Sequence, residues 1–199
     1  MRKLYLFLML MWAVPVFASD PAIDFMNNLA QEVIEQGIQG TKTHEEREAF
    51  IREKFTTILD LKSIGQFVLG TYWKKADETQ RKAFLDAFTE LQTKTWSDRF
   101  GMYSGQEVVF SGTRNAQGKN QLYVDSSIPG NPPIEIIWRV RPKNDGYVII
   151  DIVIENVSMA SSYRSEYTAF LQQHQGNLQA LVDELKNKAE NFKYSQNKS

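Results

Sequence analysis

The pattern of apolar and polar residues divides the chain into a helical first part, a strand-rich middle and a helical end. From residue 20 to residue 101, apolar side chains recur every three or four positions, the spacing of helices that bury one face. From Gln106 the period falls to two, as in strands, and after Ile154 the helical spacing returns. Helices, then strands, then helices are typical of an α+β fold.

Capping sequences mark where the helices of the first part begin. Ser19-Asp20-Pro21 places a capping side chain before a proline at the first helical position. Thr43 and Asp77 are followed three residues later by Glu46 and Gln80, which is the spacing of a capping box. With a shorter helix over residues 60–69, these signals predict four helices between residues 20 and 101.

Four strand-like runs follow, and short turn sequences separate them. The turns, Asn115–Gly118, Gly130–Pro133 and Asn144–Gly146, are rich in glycine, proline and asparagine. Links this short join antiparallel neighbours, so we expect a twisted antiparallel sheet of four strands or slightly more. The predicted strands are Gln106–Thr113, Asn120–Ile128, Ile134–Arg141 and Tyr147–Ile154.

Alternation within these runs predicts one apolar face for the helices to cover. The opposite face carries most of the charged residues of the strands, including Asp125, Arg139 and Asp151. The residues assigned to the apolar face are Leu122, Val124, Ile128, Ile134, Ile136, Trp138, Val140, Val148, Ile150, Ile152 and Ile154.

The first eighteen residues resemble a secretory signal peptide. Arg2-Lys3 is a short basic region, Leu4–Val14 is apolar, and Val16-Phe17-Ala18 places small residues at a cleavage site. The apolar stretch is too short to span a bilayer, which disfavours an uncleaved anchor. We therefore expect export and cleavage after Ala18. The predicted organisation is a signal peptide at 1–18, one domain at 19–193 (helical 20–101, sheet 106–154, helical 158–192) and a flexible tail at 194–199.

Composition narrows the functional classes. The chain has 199 residues, 23 basic and 24 acidic, and two of the basic residues lie in the signal peptide. The remaining net charge of −3 disfavours nucleic-acid binding, which needs a basic surface. Cysteine is absent, so the fold is expected to rest on its core rather than on disulfides. The twelve Phe, eight Tyr and four Trp could fill a core or line a cavity, and periodicity favours the core.

Candidate catalytic and metal-binding residues are few. His44 and His174 have neither cysteine nor a metal-binding spacing around them, so we expect no zinc site. Ser158 follows a strand but lacks the flanking glycines of a nucleophile elbow, which favours a role as a helix cap. Asp151 is a lone carboxylate in an apolar strand, and it needs exposure or a cationic partner. The candidate partners are Arg139, Arg141 and Arg164.

Two stretches of the sequence carry a family pattern. Residues 67–76 read FVLGTYWKKA, which fits F-x-x-G-x-x-W-[KR], and residues 151–167 fit D-[VI]-x-[IV]-E-G-[VI]-S…[NS]-Y-R-x-x-[FY] apart from Asn156 in place of glycine. Asparagine tolerates a positive φ better than most residues, so the turn can survive. Over residues 22–185 the chain resembles the MlaC family of periplasmic phospholipid-binding proteins, also called toluene-tolerance proteins, with HpnM-like relatives.

The resemblance implies a non-enzymatic carrier without a cofactor, whose cargo is phospholipid or a related lipid. Such carriers shuttle lipid between an outer-membrane lipoprotein complex and an inner-membrane ABC transporter, which maintains outer-membrane asymmetry. The implied fold encloses a tail-binding cavity between sheet and helices. Lys74 and Arg164, beside the matched motifs, are predicted to contact the headgroup or a partner. The predicted lining residues are Phe67, Trp73, Phe84, Phe88, Val124, Ile136, Trp138, Ile150, Ile152 and Ile154.

Two alternatives stay open at this point. An exported adaptor of the same fold would dock membrane transport partners without carrying lipid, and a cavity of several hundred Å³ would argue against it. An exported hydrolase would lose turnover on substitution of Ser158 by alanine or of Asp151 by asparagine.

Overall fold

A computed structural model describes residues 20–41, 43–103, 105–116, 120–144 and 146–195. The predicted signal peptide lies outside these ranges. Helices precede and follow a five-stranded sheet, which confirms the predicted α+β class. The helices are α1 (Pro21–Glu32), α2 (His44–Ile58), α3 (Leu61–Leu69), α4 (Thr71–Lys75), α5 (Glu78–Gly101), α6 (Met159–Gln173) and α7 (Leu178–Glu190). A π-helical segment, Val33–Gln39, continues α1.

The predicted capping sequences begin the helices as expected. The Asp20 carboxylate accepts a hydrogen bond from the Ala22 backbone N–H at 2.9 Å, and Pro21 occupies the first helical position of α1. Thr43 and Asp77 each form both hydrogen bonds of a capping box. The short helix α4 was not predicted separately. It follows Gly70, whose φ of 55° lies in the left-handed region that glycine tolerates.

The strands form one antiparallel meander with the order β1-β2-β3-β4-β5. The first begins three residues later than predicted, and the fifth, a two-residue strand, was not predicted. It pairs with the end of β4 immediately before α6, so the sheet leads directly into that helix. The strands are β1 (Val109–Asn115), β2 (Leu122–Ile128), β3 (Ile134–Lys143), β4 (Gly146–Ile154) and β5 (Val157–Ser158).

A bulge in β4 corrects the predicted assignment of residues to faces. Trp138 pairs with Ile152 and Arg139 with Asp151, but Val140 pairs with Ile149, which leaves Ile150 as the extra residue. The alternation therefore changes phase at Ile150. The prediction that Val148 and Ile150 continue the face of Ile152 and Ile154 was wrong, since Val148 pairs with Arg141 on the opposite face.

Twenty of the buried hydrophobic residues form two separate clusters, fourteen in one and six in the other. The helical cluster combines residues of α3, α4, α5, α6 and α7, among them Phe84, Phe88 and Tyr167. The sheet cluster joins Met26 and its neighbours on α1 to Val124, Val140 and Ile149. Among the described residues, Leu59 is the only partly buried side chain that packs against both. A seam therefore runs between the clusters.

The chain beyond α7 packs against the helices for at least three residues. The Tyr194 ring stacks on His44 with centroids 4.1 Å apart, and it contacts Phe192 edge-on. The Ser195 backbone N–H donates a hydrogen bond to Asp98 at 2.7 Å. Tyr194 and Ser195 thus contact the helices, and the flexibility of residues 194–199 stays a prediction.

Candidate functional site

An apolar cavity lies in the seam between the two clusters. It is bounded by the junction of α2 and α3, by one face of α5, by the bulged part of β4 and by the start of α6. Because β4 leads through β5 into α6, one continuous segment supplies two of these walls. The lining residues are Phe55, Leu59, Ile64, Phe88, Gln92, Trp96, Ile149, Ile150, Asp151, Ile152, Met159, Ala160 and Tyr163.

The volume of this cavity is about 60 Å³. Pockets that hold drug-sized ligands occupy ~300–1,000 Å³, so the cavity as it stands is too small for two acyl tails. A cavity of several hundred Å³ would argue against the adaptor alternative, and this cavity is smaller than that. Binding of a lipid tail therefore requires the walls of the seam to separate.

Asp151 anchors α6 to the sheet at one wall of the cavity. Its side chain accepts hydrogen bonds from the backbone N–H groups of Ile152 and Ala160, both at 2.9 Å. It also accepts one from the Ser158 hydroxyl at 2.6 Å and pairs with Arg139 at 3.1 Å. These four donors satisfy both oxygens of a carboxylate that is buried from water. Of the two alternatives that the sequence left open for Asp151, exposure or a cationic partner, the structure shows the second, and the partner is Arg139.

Ser158 is the N-cap of α6, as the sequence favoured. Its hydroxyl oxygen accepts a hydrogen bond from the Ser161 backbone N–H at 3.1 Å while its proton points to Asp151. Both oxygens of Asp151 and the Ser158 hydroxyl thus form hydrogen bonds that fix the first turn of α6 to β4. This geometry gives the two residues a structural role.

The structure brings three of the ten predicted lining residues together in the cavity: Phe88, Ile150 and Ile152. Trp73 of α4 and Phe84 of α5 are buried in the helical cluster instead. Val124 and Trp138 belong to the sheet cluster or pack against it. Ile136 is buried and Ile154 half-buried in the sheet outside the lining, and Phe67 is 43% exposed.

Lys74 and Arg164 also lie outside the lining. Arg164 donates a hydrogen bond to the carbonyl of Phe67 at 2.9 Å and stacks 5.0 Å above its ring. It thereby ties α6 to the end of α3, next to Gly70, where an added Cβ would meet the guanidinium at 3.1 Å. Lys74 is exposed on α4. Headgroup or partner contact by either residue stays a prediction.

Sequence reasoning missed a polar pair in the wall of the cavity. The Tyr163 hydroxyl donates a hydrogen bond to Gln92 Oε1 at 2.5 Å, and both residues line the cavity. Burial raises the pKa of the Tyr163 hydroxyl above its ordinary value, so the group remains a proton donor. The signal was present in the sequence, since Gln92 is a polar residue four positions after Phe88 on the apolar stripe of α5.

Within the described ranges, no group of three or more histidine, aspartate or glutamate residues could hold a metal ion. The same part of the chain contains no helix that is long and apolar enough to cross a membrane.

Comparisons with known proteins agree on one family. The model of the family described as MlaC protein matches residues 25–187. The intermembrane phospholipid transport system binding protein MlaC of Haemophilus influenzae is 26% identical over 114 residues, which are 55% of this chain and 53% of that protein. The matched stretch thus spans about half the length of this curated relative.

A solved structure has the same fold. The phospholipid-binding protein from Ralstonia solanacearum, solved in complex with a phospholipid, superposes with a TM-score of 0.75 and 19% sequence identity. The match covers 86% of this chain and 98% of that one. At this identity the likeness establishes the fold, including the order of helices and sheet.

Proposed function

The chain belongs to the MlaC family, and on that basis we propose that it is a periplasmic carrier that holds the acyl tails of a phospholipid in the seam cavity. The observation that carries the proposal is the apolar cavity between two separate hydrophobic clusters, in a fold shared with a phospholipid-bound protein. The name of the Haemophilus relative, a binding protein of an intermembrane phospholipid transport system, supports the same role.

Lipid enters this cavity by separation of the two clusters. Each cluster keeps its own buried side chains together, and Leu59 alone among the described partly buried residues packs against both. Widening the seam therefore leaves both clusters largely intact. Each buried methylene contributes ~0.8 kcal/mol, so ten methylenes would offset an opening cost of about 8 kcal/mol. The bound tails would then complete a single core.

The carrier would exchange lipid with an outer-membrane lipoprotein complex and an inner-membrane ABC transporter. Tight burial of two tails slows spontaneous release, so unloading requires a partner that separates the clusters. Export by the N-terminal signal sequence would place the protein in the compartment between these partners. An adaptor that docks the same partners without lipid is the alternative, and the small volume of the cavity favours it.

Tryptophan fluorescence tests whether acyl tails enter the seam. Trp96 lines the cavity, whereas Trp73 lies in the helical cluster and Trp138 packs against the sheet cluster. Bromine quenches indole fluorescence only at short range. We therefore expect loading with tail-brominated phospholipid to quench the fluorescence of Trp96. Trp96→Phe should remove most of this quenching.

The matched variants Trp73→Phe and Trp138→Phe serve as controls and should retain it. Loss of quenching with Trp138→Phe instead would place the tails against the sheet face predicted from the sequence. No quenching in any variant would favour the adaptor.

A further inference from the structure

One stripe along α5 changes from apolar to cationic as it leaves the core. Phe88, Gln92, Trp96 and Arg99 follow one another at intervals of four, four and three residues, so they lie on one face of the helix. Phe88 and Gln92 are 4% and 5% exposed, Trp96 is half-buried and Arg99 is exposed. The first three line the cavity, and the Arg99 guanidinium lies 5.0 Å from the Trp96 ring. Burial therefore falls along this stripe from Phe88 to its cationic end at Arg99.

Gln92 lines the cavity with a hydrogen-bond donor that no described residue uses. Its oxygen accepts from Tyr163, and its nitrogen has no acceptor among the described residues. The other buried polar group of the wall, Asp151, is fully engaged by its four donors. An amide N–H in an apolar wall favours a ligand with a carbonyl acceptor at that depth over one without it.

Arg99 presents a free cation at the outer end of the stripe. It forms no ion pair with any described residue, and stacking on Trp96 holds its planar fork beside the cavity. Burial raises the pKa of the Tyr163 hydroxyl, the charge of Arg99 opposes that rise, and the weaker influence of Glu166 adds to it. A guanidinium fork matches the oxygens of a phosphate. The sequence predicted this role for Lys74 or Arg164 instead.

We propose that this stripe sets the orientation and depth of the bound lipid: tails toward Phe88, an ester carbonyl on the Gln92 amide and the phosphate at Arg99. The order of these groups along α5 is the order of tail, ester and phosphate in a glycerophospholipid. The chain therefore selects diacyl esters over dialkyl ethers, which lack the carbonyl. This inference rests on the proposed carrier function and specifies the ligand chemistry of the same cavity.

The test compares two lipids that differ only at the ester. Full-length mature protein is loaded from vesicles containing equal amounts of a diacyl and a dialkyl phospholipid with the same headgroup and chain length. Mass spectrometry then gives the ratio of the two lipids bound. A single hydrogen bond predicts a preference of about fivefold for the ester in the wild-type protein. Gln92→Leu should bring the ratio close to one while total loading persists.

Further variants distinguish loss of the ester preference from misfolding of the protein. Tyr163→Phe removes the hydrogen bond that orients Gln92 and should also reduce the preference, which keeps the test valid if Gln92→Leu fails to fold. Gln172→Leu, on the exposed surface of α6, should leave the ratio unchanged. Arg99→Ala should lower loading of phospholipid relative to diacylglycerol by about tenfold, the loss of one charge-assisted contact.

The outcomes are distinguishable. An equal ratio in the wild-type protein, or an unchanged preference in both Gln92→Leu and Tyr163→Phe, overturns the assignment of the ester site. An unchanged ratio of phospholipid to diacylglycerol in Arg99→Ala overturns the assigned orientation. If the wild-type protein loads neither the diacyl nor the dialkyl lipid, the carrier function itself fails.

Discussion

Replacing Met159 with tryptophan is expected to weaken phospholipid binding by about two orders of magnitude. Met159 is the first residue of α6 and lines the cavity while remaining half-buried, so a larger side chain can enter the cavity without disrupting either cluster. Excluding about four methylenes of an acyl tail removes ~3 kcal/mol of binding free energy. Titration of the delipidated protein with a fluorescent phospholipid measures the Kd.

Val157→Trp is the matched control for this substitution. Val157 lies two residues earlier and is 56% exposed outside the cavity, so the same bulky side chain should leave the Kd unchanged. Thermal melts of both variants establish that each is folded. Equal affinities of the Met159 variant and the wild-type protein would show that the tails occupy another part of the molecule.

Replacing Asp151 with alanine is expected to lower the free energy of unfolding by ~3 kcal/mol. The substitution removes the acceptor for two backbone N–H groups, the Ser158 hydroxyl and Arg139, and it releases the start of α6 from β4. Because the Arg139 side chain is 38% exposed, water can solvate its charge in the variant. The loss therefore comes mainly from the buried backbone groups. Urea unfolding monitored by circular dichroism measures it.

Asp125→Ala controls for the removal of an ion pair from the same sheet. Asp125 pairs with Arg114 at 2.5 Å on the solvent side, where such pairs contribute less than about 1 kcal/mol. The loss of unfolding free energy in Asp151→Asn should fall between those of the two alanine variants. The amide keeps one acceptor, but it turns donors toward Ser158 and Arg139. If Asp151→Ala unfolds at the same urea concentration as Asp125→Ala, Asp151 does not anchor α6.

The helix starts were predictable from the sequence because each depends on a local contact. Asp20, Thr43 and Asp77 reach backbone groups only two or three residues away, and those hydrogen bonds are present in the structure. The N-cap role of Ser158 is equally local. The short turns fixed the meander for the same reason, since a link of a few residues leaves only the antiparallel neighbour within reach.

The β-bulge could not be predicted, because the residues around it are apolar on both faces. Val148, Ile149 and Ile150 follow one another without a polar residue, so alternation carries no information on where the phase changes. Only pairing with Val140 and Arg139 across the sheet reveals the extra residue. The face predicted for Val148 was therefore wrong, although the faces of Ile152 and Ile154 agree with their pairing to Trp138 and Ile136.

Which aromatic residues line the cavity depends on how helices pack, and periodicity leaves this open. Phe84 and Phe88 lie on one stripe of α5, yet Phe84 is enclosed by the helical cluster while Phe88 also reaches the cavity. The polar residue that interrupts the stripe, Gln92, was the more informative position. A buried amide on an apolar face needs a partner, and Tyr163 supplies only one.

Native mass spectrometry of the mature protein, purified from the periplasm without detergent, tests the proposed carrier function most directly. The carrier proposal predicts a complex with one phospholipid, released on denaturation and restored by incubation of the delipidated protein with phospholipid vesicles. Detection of the protein mass alone, with no lipid acquired from vesicles, would contradict it.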